Sequence, residues 1–236
     1  MASKTVRSLI TGAALVAGSA VALPSIASAT TPPASFSAAQ QQVEQALTYR
    51  VSQLTRLSAD VSGSSTLSSA HASLLNARIS TESADINALV TKVPSDTTFA
   101  ELNADRAAMI KDNRVFAVET PQVLQIIEAD SVAAQITTMT SSEASLQAAV
   151  NSLTGQPSYN NALRHYNSYV AAIGNASSAV ADVTTTVLAQ VPSDYPTDVH
   201  VFVSANHKLL AADIALAHAS YDATIIGLAS GGYTGS

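Results

Sequence analysis

Between Leu163 and Val191 the sequence places Leu163, Tyr166, Val170, Ile173, Ser177, Val180, Thr184, Val187 and Val191 at alternating spacings of three and four. Polar residues enter this seam only at Ser177 and Thr184. A repeat of this kind suits an α-helix, and it excludes a strand, whose side chains change face at every residue. Taken as one helix, the segment is a rod about 43 Å long. Such a rod must bury its stripe against other helices, so the spacing predicts an all-α fold.

The rest of the chain follows the same logic. Ser37 with Gln40 three residues on reads as a capping box. It opens a helix to about Val61, with Val43, Leu47, Leu54, Leu57 and Val61 inward. A second helix over about 66–92 carries Leu75, Ile79, Ile86, Leu89 and Val93, and a third over about 97–112 carries Phe99, Leu102, Met109 and Ile110. Residues 113–120 lack helical periodicity and precede Pro121, which predicts a break or short extended segment. Thr120 is then expected as N-cap of a fourth helix running to about Thr154. After the seam, Pro192-Ser193-Asp194 separates a sixth helix over about 197–230. Its stripe is Val203, His207, Leu210, Ile214, Ala217, Tyr221, Ile225 and Leu228. Val-Pro-Ser-Asp occurs at both 93–96 and 191–194, which fits either a duplicated hairpin or reuse of one good stop signal. Long helices with short turns predict an antiparallel up-and-down bundle over 37–230 with long coiled-coil-like helices.

The amino terminus is read as an address. Lys4 and Arg7 precede an apolar run from Leu9 to Leu23, Pro24 breaks it, and Ala27-Ser28-Ala29 has the small-residue cleavage pattern. Residues 1–29 are therefore expected to be a cleaved secretory signal, 30–36 a linker, and 231–236 a tail. Cleavage leaves 207 residues with nine basic and 17 acidic side chains, a charge of −8. An acidic, lysine-poor surface argues against nucleic acid and anionic lipid. With no cysteine there is neither a disulfide scaffold nor a thiolate metal site, so burial alone must hold the fold. No second membrane span is expected after cleavage.

Chemistry-bearing residues are sparse. His200, His207 and His218 fall within about 20° of one another on the sixth helix, but roughly 10 and 16 Å apart along it. They cannot share a metal whose bonds are near 2 Å, although His218 and Asp222 at i,i+4 could supply half a site with His207 nearby. The plainer reading is structural or surface histidine. Asp130 lines up with Val123 and Ile127, so it is expected inside and must find a cation or donors. Arg114 and Arg106 are the nearest cations in sequence, with Arg78 across on the second helix. A buried ion pair is the plainer reading of Asp130, a ligand-binding or general-base carboxylate the functional one. No nucleophile elbow, phosphate loop, dinucleotide fingerprint or calcium loop is present. Enzymatic activity and a cofactor are accordingly not expected.

Asp112-Asn113-Arg114-Val115-Phe116, then Pro121, then Ala129-Asp130 resembles a pattern in uncharacterised secreted helical proteins of actinobacteria. The resemblance covers about residues 80–135. It implies an exported, largely helical protein and carries over no activity or ligand. The expectation is a secreted, non-enzymatic helical bundle with a structural or interaction role, self-association included, at the cell envelope or in the medium. A small-ligand or metal-binding bundle is the alternative.

Overall fold

A computed structural model describes residues 35–231, and among them it is all-α. The expected signal (1–29), most of the linker and most of the tail lie outside the described residues. The helices are α1 (Phe36–Gly63), α2 (Ser69–Lys92), α3 (Phe99–Lys111), α4 (Thr120–Asn151), α5 (Tyr159–Val180), α6 (Val183–Leu188) and α7 (Asp198–Ala229). Single 3₁₀ turns follow α2 at Val93–Ser95 and α6 at Pro192–Asp194, and a π-helical turn, Val115–Glu119, leads into α4. Both copies of Val-Pro-Ser-Asp thus end in the same kind of turn. The described chain divides into two compact units: 35–130 with 184–205, and 131–183 with 206–231.

In the first unit α1 packs along α2. Val43, Leu47, Leu54, Leu57 and Val61 of α1 and Leu75, Ile79 and Ile86 of α2 are buried, as their spacing predicts. The caps differ in detail. Ser35, not Ser37, caps α1 by accepting from the Ala38 N–H. Gln40 instead donates to the Val93 carbonyl at 2.8 Å, closing the end of α2. Thr98 and Glu101 form a complete capping box on α3. The segment expected to be extended is the π-turn, entered through Arg114 in the left-handed region (φ 33°). Thr120 is helical rather than a cap, and its hydroxyl donates to the Val115 carbonyl at 2.8 Å.

The second unit is built from the later part of α4, α5 and most of α7. Its core joins Leu146, Val150, Leu153, Ala162, Tyr169, Ala172, Ile173, Ala219 and Ile226. The 43 Å rod is not formed, because α5 stops at Val180 and α6 restarts at Val183. The run Val183-Thr184-Thr185-Thr186-Val187 is β-branched throughout, which weakens helix propagation. The buried line of α5 is also displaced: Ala162, Tyr169, Ala172 and Ala176 face in, whereas Val170 and Ser177 are exposed. Tyr169 turns inward because its hydroxyl has a partner, the Met139 carbonyl at 2.6 Å.

The larger correction concerns α7. Its expected stripe faces out: Leu210 is 58% exposed, Ile214 51%, Tyr221 61% and Leu228 48%. Phe202, Ala205, Leu209, Ala212, Leu216, Ala219 and Ile226 are buried instead. This helix is apolar on both faces, so periodicity alone cannot choose between them. The buried face carries alanine at 205, 212 and 219, one residue in seven, and small side chains admit close helix approach. By length and composition α7 could also cross a membrane, with mean hydropathy 1.3 over its most apolar stretch, 39% of which is buried.

Two neighbours in sequence test this orientation. Leu209→Ala should cost about 2–5 kcal/mol, the usual range for a buried leucine, and Leu210→Ala under about 0.5 kcal/mol. Urea unfolding of the two variants measures both, and equal costs would place the helix differently.

Candidate functional site

Asp130 is buried, as its line with Val123 predicts, but its partners are not the expected arginines. The carboxylate accepts from the Ser68 backbone N–H at 2.7 Å and meets His71 Nδ1 at 2.9 Å. Ser68 is the N-cap of α2, so Asp130 ties α4 to the positive end of that helix. Arg106 is exposed on α3. Arg114 lies over the Tyr195 ring, its guanidinium carbon 4.1 Å from the centroid. Asp130, Arg114 and Arg106 therefore do not converge, and Asp130 instead joins α4 to the start of α2. A contact with a histidine 59 residues away has no local spacing to announce it.

The second unit repeats this arrangement. Asp222 is buried on α7 and meets His165 Nδ1 of α5 at 2.7 Å. His207 and His218 are exposed, and Asp222 is already engaged elsewhere. Among the described residues no three His, Cys, Asp or Glu side chains are grouped to hold a metal ion.

The least ordinary electrostatics surround the π-turn of the first unit. Arg78 of α2 donates to the Gln122 side-chain oxygen and to the Leu188 carbonyl at 2.7 Å, with a longer contact to the Gln190 carbonyl. Gln122 is fully buried and donates to the Val187 carbonyl at 2.7 Å. These carbonyls lie where α6 ends, and that of Val187 also accepts from the Gln190 N–H at 3.2 Å. Glu119, the last residue of the π-turn, is only 5% exposed, and its Oε1 is buried without a hydrogen-bond partner. Glu82 sits one turn after Arg78 on α2, and its Oε2 is likewise buried without a partner. Burial pushes the Glu82 carboxyl up to about 8, with the Glu119 and Asp85 charges adding to the rise. Burial pushes Glu119 up to about 7 against the opposing attraction of Arg78.

Aromatic and polar groups close the other side. Phe116 of the π-turn stacks on Tyr49 of α1 at 5.3 Å, with the Arg50 guanidinium 5.2 Å from its centroid. Gln53 of α1 reaches the Thr120 hydroxyl at 3.3 Å. At the start of α7 Asp198 is buried beside the N–H groups of its own first turn, with Arg114 in electrostatic reach. Glu82 carries no sequence signal, because its inward position depends on how α2 meets the π-turn. The site thus brings together a buried carboxyl, Glu119, and a half-buried one, Glu82, both pushed up toward neutrality by burial. No known protein family, curated protein or solved structure matches the chain.

The carboxyls set a sign for stability against pH. Below the ordinary value of 4.5 both are neutral whether folded or unfolded, and cost nothing. As pH rises from there to about 7 for Glu119 and about 8 for Glu82, the unfolded chain ionises and the folded one resists, so stability falls. The loss from Glu119 is on the order of 2–3 kcal/mol, and that from the more exposed Glu82 is smaller than its shift alone implies. Glu119→Gln should therefore stabilise the fold at pH 8 and change it little at pH 4.5. Chemical denaturation at the two pH values checks this, and a variant destabilised equally at both would contradict it. Asp130→Ala, which strands His71 and the Ser68 N–H, should cost about 2–4 kcal/mol at neutral pH in the same assay.

Proposed function

We propose that this chain is an exported, non-enzymatic helical protein that works by association, and that the outward stripe of α7 is the surface it associates through. The carrying observation is the exposure of Leu210, Ile214, Tyr221 and Leu228 on one face of one helix. They fall at spacings of four and seven with Ala217 between, so they form a seam into which another helix can set its side chains. The stripe itself carries no charge, and charge depletion is the mark of an interface centre rather than of ordinary surface. Lys208, the nearby cation of α7, is taken up by Asp182 at 2.7 Å.

The occupant proposed is the same stripe of a second copy. An uncharged apolar seam has nothing that excludes its own likeness, and a two-fold pairing buries the same residues on both sides. From Leu210 to Leu228 the seam spans about 27 Å. A contact that short lies at the low end of specific interfaces, so the association is weak and concentration-dependent. Export is supported by the basic start, the apolar run and Ala27-Ser28-Ala29, and agrees with the resemblance to secreted helical proteins.

Sedimentation equilibrium from micromolar to millimolar protein tests this reading. The expected result is a monomer–dimer equilibrium that Leu210→Glu with Ile214→Glu shifts at least tenfold toward monomer while circular dichroism stays the same. A strict monomer across the range, or cosedimentation of monomer with neutral phosphatidylcholine vesicles, would overturn it.

A further inference from the structure

We propose that the π-turn Val115–Glu119 is a proton-dependent latch: it is closed while Glu82 and Glu119 share at least one proton, and it opens locally when both are ionised. The geometry begins with the turn itself. A π-turn inserts an extra residue into the helical ladder, and such insertions concentrate at functional positions. Here the backbone enters through Arg114 at φ 33°, a left-handed conformation unfavourable for any residue with a Cβ. The turn is held by the Ala117 and Val118 N–H groups on the Arg114 carbonyl, at 3.1 and 2.9 Å, and by the Thr120 N–H and hydroxyl on that of Val115.

The surrounding charges explain why the closed turn needs a proton. Glu119 and Glu82 each present a buried, unpartnered oxygen, on the π-turn and on α2. Asp85, also on α2, adds a further negative charge toward Glu82. Three arginines stand nearby, and among the described residues none comes within ion-pair distance of Glu82 or Glu119, although Arg50 and Arg114 each keep a buried Nε without a hydrogen-bond partner. Arg78 spends donors on Gln122 and on the Leu188 and Gln190 carbonyls. Arg50 of α1 donates to the Ala46 carbonyl and covers Phe116. Arg114, at the mouth of the turn, lies over Tyr195. Gln53 of α1 is neutral and donates to Thr120. Arg78 attracts Glu119 from a distance, but it cannot turn to both carboxylates without releasing the end of α6. Two ionised carboxylates at this place repel one another and are poorly solvated, and the cheapest relief is for Glu119 to leave with its strained turn.

Hydrogen exchange by mass spectrometry on the whole protein tests the latch, with rates corrected for the intrinsic pH dependence of amide exchange. Between pH 6 and pH 9, protection of peptides covering 113–122 is expected to fall at least tenfold while peptides from α1 around Leu54 change by less than threefold. Glu82→Gln with Glu119→Gln, which mimics the protonated pair, should keep the segment protected at pH 9. Should that variant fail to fold, Glu82→Gln alone decides, since removing one carboxyl must shrink the loss of protection. Unchanged protection in wild type, an equal loss throughout the first unit, or a wild-type response in the variant overturns the proposal.

Discussion

The open carbonyls where α6 ends draw in the donors of Arg78 and Gln122, and much of the first unit follows from that demand. A helix of six residues leaves most of its carbonyls without an internal partner. Water satisfies such groups at a surface, but here a buried glutamine and an arginine do so. The bond between those two side chains then fixes α2 against α4. Because Arg78 is used in this way it does not neutralise Glu119, and a carboxyl is left inside with a pKa near neutrality. A hydrogen bond that completes one helix thus creates the electrostatic imbalance at the next. Gln40 on the Val93 carbonyl, at the end of α2, is a similar device elsewhere in the unit.

Several buried acids in this chain do have protein partners, although lysine is scarce. Histidine supplies them twice. His71 meets Asp130 in the first unit, and His165 meets Asp222 in the second. In both cases Nδ1 faces the carboxylate, which fixes the ring and leaves Nε2 on its far side. Metal-binding histidines are oriented in this way, but a metal needs further ligands converging on Nε2, and no such group exists among the described residues. The pairs therefore act as polar pins between helices that otherwise touch through aliphatic and alanine side chains.

The all-α class and the inner faces of α1 and α2 were legible because Leu47, Leu54, Leu57, Leu75, Ile79 and Ile86 recur at helical spacing, while most positions on the opposite faces are polar. Periodicity fails where that contrast disappears. On α7 leucine, isoleucine and valine occupy both faces, and weighting by size selects the one that carries Tyr221 and Leu228. The structure buries the opposite face, where alanines permit close approach and Asp222 finds His165. On α5 the same preference for bulk passes over Ala162, Ala172 and Ala176. The π-turn was legible only as irregularity. Nothing local in Arg114–Glu119 distinguishes an inserted residue from an extended break, because the insertion is stabilised from α1 and α2.

Large apolar side chains are exposed on several elements, Leu74, Val90, Phe99 and Ile110 among them, but α7 is the helix that carries them in a continuous outer stripe. Leu210, Ile214 and Tyr221 are each more than half exposed, so the larger part of their apolar surface lies outside the core of the unit. On the proposed reading, contact with a second copy accounts for them, and the two apolar stripes together give α7 the length and hydropathy of a membrane span. Asp222, buried on the inner face with His165, marks the stripe that belongs to the fold. The outer stripe lacks any such polar pin, which leaves it free to meet a partner without first breaking a contact of its own.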